Sequence, residues 1–319
     1  MQIRFWGTRG SLPAPLTAAD VRAKLVAALT EVQGRSLETP AAVEAFVAGL
    51  PLSIRGTFGG DSSCVELIDG ENTNHVLCDM GSGARRYGVE MLRRHGPDNP
   101  QTYHVFMSHT HWDHIMGFPM FPPAYLPGNR IIIHGCHAEI AGAFHRQHGA
   151  PSFPVEFSQL QAAIEFVVLK PDTTTEIAGY QVTPLLQRHS GDSYGYRFEK
   201  NGKCVVYSTD SEHRTEQSEE AERFARFFNN ADLVIFDAMY SLAEATSVKE
   251  DWGHSSNVIG VELCQMANAK RLCLFHHEPT YSDSQIEDVL HKTRRLEEIT
   301  RAETPLEIIT AYDGLTVTL

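Results

Sequence analysis

The feature that most restricts the fold of this 319-residue chain is the run Ser-His-Thr-His-Trp-Asp-His at 108–114. Three imidazoles and a carboxylate follow the apolar segment 103–107, which is predicted to be a buried strand. A short turn at a strand end can direct two of these nitrogens at one cation, and the carboxylate and third imidazole at a neighbouring one. Such mixed ligands favour zinc first, with manganese or iron as alternatives. Unrelated surface histidines would leave the alternation and the adjacent Asp113 unexplained, so the sequence predicts a metal site.

Charge and composition narrow the classes of partner. The chain has 27 Lys and Arg against 40 Asp and Glu, a net charge of −13, which disfavours long nucleic acid. The N-terminus lacks the apolar core of a signal peptide, and no segment is long and apolar enough to span a bilayer. We therefore expect a cytoplasmic protein without a membrane partner. The six cysteines include no C-x-x-C pair, which predicts reduced thiols.

Apolar runs and helical periodicities alternate along the chain and predict layered sheets with outer helices. Predicted helices cover 18–32, 40–50, 218–229, 256–268 and 284–299. We expect one domain over 1–319 with a helical insertion at 13–52. The insertion is interpreted as a surface hairpin of helices, with a lid or a homodimer contact as alternatives. The predicted strands are 2–6, 64–68, 75–79, 103–108, 130–134, 164–169, 180–185, 203–208, 232–236, 271–275 and 306–311.

Further candidate ligands stand at or just after predicted strands: His189, Asp210 and His276. A single histidine at a strand end is more often structural than a ligand. The evidence that they are ligands is that all three stand at strand ends. Side chains at strand ends can meet at one edge of a sheet.

These residues resemble the metallo-β-lactamase superfamily, whose signature is H-x-H-x-D-H. The resemblance continues through the segment 78–83 and through Asp237 and His254, and it covers most of the chain. Within the superfamily, the chain is most similar to the phosphodiesterase branch, which contains ribonuclease Z and the cyclic-phosphate phosphodiesterase of phosphonate catabolism. The resemblance implies an α+β fold, a four-layer αββα sandwich with two metals at one edge of the sheets.

The resemblance also implies a role for each ligand, with His277 as the alternative to His276. Asp79 is expected to support the metal loop without binding metal. One metal is assigned to His109, His111 and His189, the other to Asp113, His114 and His276, with Asp210 bridging both.

The implied catalytic set is His254, Asp237 and Asp113. In this hypothesis Asp237 orients His254, which protonates the leaving alkoxide, and Asp113 is counted both as catalytic and as a metal ligand. In the alternative, Ser255 or Ser256 caps a helix and His254 is only a surface neighbour. The loop 59–63 offers amides or hydroxyls to a phosphate, or else is a tight turn.

The predicted function is a dinuclear metal-dependent phosphodiesterase that hydrolyses a small diester, a cyclic nucleotide or a cyclic phosphate. Two cations about 3.5–4 Å apart can bridge a hydroxide and stabilise both the attacking and leaving oxygens. No basic arm like that with which ribonuclease Z grips transfer RNA is evident, and position 61 is Asp where close relatives have Asn. The alternatives are hydrolysis of a lactone, thioester or β-lactam, a non-catalytic protein similar to the pyrroloquinoline quinone biosynthesis protein, or an iron-based redox variant of it.

Overall fold

The computed structural model describes residues 1–70, 74–213, 218–240, 253–301 and 304–319. Within these ranges fourteen strands form two mixed seven-stranded sheets, with orders β14-β1-β2-β3-β4-β5-β6 and β13-β12-β11-β10-β9-β8-β7. The strands are β1 (Gln2–Gly7), β2 (Cys64–Ile68), β3 (Asn74–Cys78), β4 (Thr102–Phe106), β5 (Arg130–Gly135), β6 (Ala163–Val168), β7 (Thr175–Ile177), β8 (Tyr180–Gln187), β9 (Ser193–Lys200), β10 (Lys203–Ser208), β11 (Leu233–Asp237), β12 (Arg271–Phe275), β13 (Glu307–Thr310) and β14 (Thr316–Thr318).

Helices flank the two sheets, and short 3₁₀ helices cover Phe118–Met120, Pro122–Tyr125 and Phe157–Gln159. No helix of the described ranges has both the length and the apolar character that crossing a bilayer requires. The α-helices are α1 (Ala18–Glu31), α2 (Pro40–Gly49), α3 (Leu52–Arg55), α4 (Gly83–His95), α5 (Trp112–Ile115), α6 (Ile140–Gln147), α7 (Ser218–Phe228), α8 (Asn257–Met266) and α9 (Asp283–Thr300).

Three apolar clusters hold the layers together. The first lies between the sheets, where Phe5 and Phe106 of one sheet meet Phe198 and Phe275 of the other. The other two lie outside the sheets, one beneath α4 and α6, the other beneath α7, α8 and α9. This order of helix, sheet, sheet and helix is the αββα sandwich that the sequence resemblance implied, so the predicted fold class is confirmed.

All eleven predicted strands are present within one or two residues, as are the five predicted helices. Strand β9 was not predicted, although Tyr194, Tyr196 and Phe198 alternate with polar or small residues and are buried. Helix α4 was not predicted because Gly83 and Gly88 lower its helical propensity. Tertiary packing requires the second glycine, since a Cβ there would lie 2.6 Å from the ring of Phe121.

Residues 13–52, the predicted insertion, contain the two predicted helices, α1 and α2, but neither helix has a buried residue. On α1 the apolar residues Val21, Leu25 and Leu29 are 46%, 60% and 68% exposed. Lys24, on the opposite face, forms an ion pair with Asp283 at 2.6 Å. Helix α1 therefore packs on the protein through its polar and small residues, and its apolar stripe faces outward.

The parallel strands place the candidate residues at one edge. Strands β3 to β6 run parallel in one sheet, and β10 to β13 run parallel in the other. Carboxyl ends of parallel strands meet at the same edge of a sheet, which is where α/β proteins bind ligands. Asp79, the 108–114 run, Asp210, Asp237 and His276 all lie at or just beyond such ends.

Candidate metal centre

Three histidines from two loops form the first ligand group. His109 and His111 follow β4, and His189 follows β8. One ring nitrogen from each lies within 4.8 Å of the others, and His189 Nε2 is 3.2 Å from His111 Nδ1. The geometry thus brings together the three residues assigned from sequence to one metal.

The second group contains Asp113, His114, Asp210 and His276, all buried. Asp210 Oδ1 lies 3.1 Å from His114 Nε2 and 3.2 Å from His276 Nε2. Its other oxygen, Oδ2, lies 3.7 Å from His109 Nε2 and 3.8 Å from His189 Nε2. Oδ1 of Asp210 therefore faces the second ligand group and Oδ2 faces the first. A carboxylate that bridges two cations needs this arrangement.

Three residues at this edge have left-handed backbone conformations. The φ angles of Asp79, Asp210 and His276 are 59°, 44° and 59°. Such conformations cost non-glycine residues roughly 1–3 kcal/mol and persist where the surrounding structure enforces them. The fold therefore keeps local strain at the turns that carry the candidate ligands.

A hydrogen-bonded layer behind the ligands fixes their orientation. Asp79 Oδ2 lies 2.7 Å from His114 Nδ1 and accepts hydrogen bonds from Ser108 Oγ and Tyr207 Oη, both at 2.7 Å. Nδ1 of His189 lies 2.7 Å from the carbonyl oxygen of Gly253. Such partners set which ring nitrogen faces a metal. Asp79 thus occupies the supporting position expected from sequence.

The imidazole nitrogens that face the cluster fit a cation. Within the described ranges, Nε2 of His109, His114 and His276 is buried without an aligned hydrogen bond, and the nearest groups facing the last two are carboxylate oxygens at 3.1 and 3.2 Å. A buried polar atom left unpaired costs about 1–3 kcal/mol, which coordination to a divalent cation would offset. Burial lowers the pKa of His109 well below its usual value, which keeps this imidazole neutral and able to coordinate. The cluster is consistent with a dinuclear metal site.

Asp237 and His254 form a hydrogen-bonded pair beside the ligands. Asp237 Oδ2 is 2.8 Å from His254 Nδ1, and the His254 ring stacks on His276 with centroids 5.2 Å apart. Burial opposes protonation, but the charge of Asp237, helped by Asp210 and Asp113, outweighs it and raises the pKa of His254 to about 9. The pair therefore places the His254 ring, held through Nδ1, next to the cluster.

The 253–256 loop contains both a helix cap and a buried histidine. Ser256 caps α8, because its side chain accepts a hydrogen bond from the amide of Ile259. The prediction of a cap in this loop is therefore confirmed. The idea that His254 is only a surface neighbour is wrong, since its side chain is 9% exposed and bound to Asp237.

Hydrogen bonds distinguish His276 from His277 and define the 59–63 loop. His277 points away from the ligands, with Nε2 2.9 Å from the carbonyl oxygen of Ala311, so His276 is the residue in the cluster. In the 59–63 loop, the amides of Gly60 and Asp61 donate to Asp313 Oδ2 at 3.0 and 3.1 Å. Those two amides are used within the protein, which fits the tight turn and leaves neither of them free to bind a phosphate.

Sequence reasoning missed residues that act through the ligands. The sequence predicts Tyr207 only as part of the strand 203–208, and it assigns no role to Gly10. A Cβ at Gly10 would lie 2.6 Å from Cε1 of His276, so only glycine leaves room for that ring. The strand period predicts which face Tyr207 occupies, but neither position carries a signal for its partner.

The fold and the cluster together define a class of protein, hydrolases that use a His/Asp metal centre at the edge of an αββα sandwich. Residues 74–277 match the family model of the beta-lactamase superfamily domain. The chain belongs to the metallo-β-lactamase superfamily, as the sequence resemblance predicted.

Individual relatives are distant. The ribonuclease Z of Natronomonas pharaonis is 25% identical over 288 residues, which cover 72% of this chain and 89% of that protein. The metallo-β-lactamase fold protein YhfI from Bacillus subtilis superposes with a TM-score of 0.63 at 16% identity, covering 99% of this chain and 98% of that one. A diphosphatase from the PhnP family gives a TM-score of 0.59 at 17% identity, with 100% and 97% covered. At these identities the structural likeness shows the fold.

Proposed function

We infer that the protein is a dinuclear metal-dependent phosphodiesterase acting on a small diester, a cyclic nucleotide or a cyclic phosphate. The observation that carries this proposal is the Asp237–His254 pair, with its 2.8 Å hydrogen bond, beside two ligand groups joined by Asp210. Bound divalent cations, zinc first and manganese second, supply an activated water and neutralise charge on a phosphoryl group. His109, His111, His189, Asp113, His114, His276 and the bridging Asp210 would hold them.

The residues of the chain perform the remaining tasks. With Nδ1 of His254 engaged by Asp237, Nε2 is the atom that gives a proton to the departing oxygen. A ring nitrogen of His254 lies within 4.8 Å of ligand atoms of His189 and Asp210, so the proton is held next to the reacting centre. An alkoxide is a poor leaving group, and a positioned acid typically contributes 10²–10⁴-fold to such a step.

Two further facts support the proposal, one for the type of bond and one for the size of the substrate. The sequence relative from Natronomonas pharaonis is named a ribonuclease, an enzyme that cleaves phosphodiester bonds. The net charge of −13 works against a long polyanion and leaves a small one as the better substrate.

The acid role is tested with His254→Ala and diesters of graded leaving-group pKa. We expect kcat to fall about 10²–10⁴-fold for alkyl leaving groups and much less for p-nitrophenolate, which departs without a proton. Metal content should stay at two ions per chain, because His254 is outside the proposed ligand set. An equal loss for good and poor leaving groups would contradict the acid role.

The bond type is tested with a substrate panel on the zinc- or manganese-loaded protein. Bis-p-nitrophenyl phosphate and a cyclic nucleotide should be hydrolysed, and a lactone and a β-lactam should not. The fold alone permits all four reactions. Turnover of only the last two would overturn the proposed function in favour of a hydrolase that acts on carbonyl compounds.

A further inference from the structure

Trp112 has an exposure that the fold does not explain. It stands between His111 and Asp113 and begins α5, yet it is 80% exposed. Helix α5 is held by the buried residues that follow, Asp113, His114 and Ile115. In the part of the chain that the structure describes, the indole makes no hydrogen bond and no ring contact. Any residue able to start a helical turn would serve the fold equally well.

The surroundings of Trp112 combine apolar surface with a strongly polar centre. Asp113, its neighbour, is 3.4 Å from His276 Nε2 within the second ligand group. The segment after Gly10, which touches the His276 ring, carries Leu12 with 58% exposure. Two exposed apolar side chains thus stand on segments that border the same ligand group. A molecule that fits this place has an ionic part for the metal centre and a flat apolar part beside it.

We propose that Trp112 is a specificity-determining residue that stacks on the nucleobase of a nucleotide substrate. The proposal rests on the proposed function and selects one of its two substrate classes, the cyclic nucleotide. A cyclic phosphate without a base has no aromatic face on which an indole could stack. A nucleobase presents an aromatic face to any aromatic side chain, and stacking on such a side chain is worth about 1–3 kcal/mol per base. At 80% exposure, most of the surface of the indole is open to a ligand.

Binding of product-like ligands tests this without relying on turnover. AMP and ribose 5-phosphate share the phosphate and the sugar and differ in the base. For the metal-loaded wild-type protein we expect a Kd roughly 5- to 150-fold lower for AMP. Trp112→Ala should bring the two Kd values together, and Trp112→Phe should keep most of the preference. Quenching of indole fluorescence by AMP should be lost in Trp112→Phe, although the chain keeps its other tryptophans.

Controls separate the proposal from its rivals. Ile299→Ala removes another exposed apolar side chain, 67% exposed on α9, and should leave both Kd values unchanged. An unchanged AMP preference in Trp112→Ala, or an equal loss for both ligands, would overturn the proposal. A change in sedimentation coefficient at a constant Kd ratio would also overturn it and assign Trp112 to a protein contact. If Trp112 governs base preference but no diester is hydrolysed, only the proposed function fails.

Discussion

At the residue scale, the candidate site depends on side chains that do not face the metal as much as on those that do. Asp79 joins His114, Ser108 and Tyr207 in one buried hydrogen-bonded group. Ligands that are fixed from behind lose little freedom when a cation binds, which favours tight binding. Substitution of the residues that support the ligands should therefore lower the metal affinity.

Gly10→Ala is expected to weaken metal binding without touching a ligand. Its Cβ would lie 2.6 Å from Cε1 and 2.7 Å from Nδ1 of His276, so the ring must move. Loss of such support typically lowers metal affinity 10–100-fold. Competition with a chromophoric chelator measures the change. Gly49→Ala is the matched control, since a Cβ there meets nothing within 4 Å. Unchanged affinity in Gly10→Ala would show that His276 does not bind metal.

Sequence reasoning found the candidate ligands because metal chemistry restricts residue type and strand ends restrict position. It favoured His276 and kept His277 as the alternative because both follow β12 directly, and the hydrogen bond of His277 to the carbonyl oxygen of Ala311 decides between them. It could not find Gly10, whose role depends on a neighbour more than 260 positions away in the chain. The local sequence pattern therefore predicts the ligands, whereas the residues that hold the ligands in place are seen only in the folded structure.

At the element scale, periodicity predicts a helix more reliably than it predicts the face that the helix buries. Helix α1 has the apolar spacing of a core helix, but Val21, Leu25 and Leu29 are exposed. Strand β9 is the opposite case, because its alternating residues Tyr194, Tyr196 and Phe198 do form a buried face. Which face is buried depends on partner elements, which the sequence of one segment does not contain.

Leu25→Gln should leave the stability of the protein almost unchanged. The side chain is 60% exposed, and Gln has nearly the helical propensity of Leu, so the free energy of unfolding should change by less than about 0.5 kcal/mol. Ile286→Ala, at a position 2% exposed on α9, should by contrast cost about 2–5 kcal/mol. Urea unfolding compares the variants. A concentration-dependent loss of stability in Leu25→Gln would instead support a homodimer contact through the insertion.

At the scale of the whole molecule, the metal centre joins the two sheets. The first sheet supplies the residues of the 108–114 run, and the second supplies His189, Asp210 and His276. A cation bound by both sets binds the folded state and not the unfolded chain. Metal binding and folding are therefore thermodynamically linked.

Chelation should lower the melting temperature by several degrees. A ligand present at 100 times its Kd stabilises the folded state by about 2.7 kcal/mol. Differential scanning calorimetry with zinc and with EDTA measures the difference. Asp210→Asn keeps the shape of the side chain but removes the bridging charge, and its melting temperature should respond far less to zinc. A full zinc response in this variant would contradict the bridging role.

Acid should destabilise the protein partly through His134, a buried residue of β5 that pairs with Phe106 of β4. Burial and the neighbouring His104 lower its pKa to about 3 in the folded state, whereas an unfolded histidine has a pKa of about 6.5. The unfolded chain therefore takes up the proton first. The stability is complete above pH 6.5 and is lost as the pH falls from 6.5 towards 3, by about 2 kcal/mol at pH 5.

His134→Phe should reduce the loss of stability that occurs between pH 6.5 and pH 3. The variant keeps an aromatic ring against Phe106, whose centroid is 4.8 Å from that of His134. It removes the hydrogen bond to His104 at 3.1 Å, which lowers stability by a similar amount at every pH above 6.5. Denaturant unfolding of the metal-free protein between pH 7 and 5 measures how steeply the free energy of unfolding changes with pH, apart from any effect of metal binding. A slope equal to that of the wild type would show that His134 is protonated in the folded state.

The division of ligands between the sheets makes the molecule suitable as a split reporter. A cut at the exposed Asp172, between β6 and β7, would leave four of the seven candidate ligands on the N-terminal fragment and three on the C-terminal one. Strand β14, which pairs with β1, would return the second fragment to the first sheet. Neither fragment alone would carry all the ligands of both proposed metal ions. Binding of a second cation would therefore show that the two fragments had reassembled.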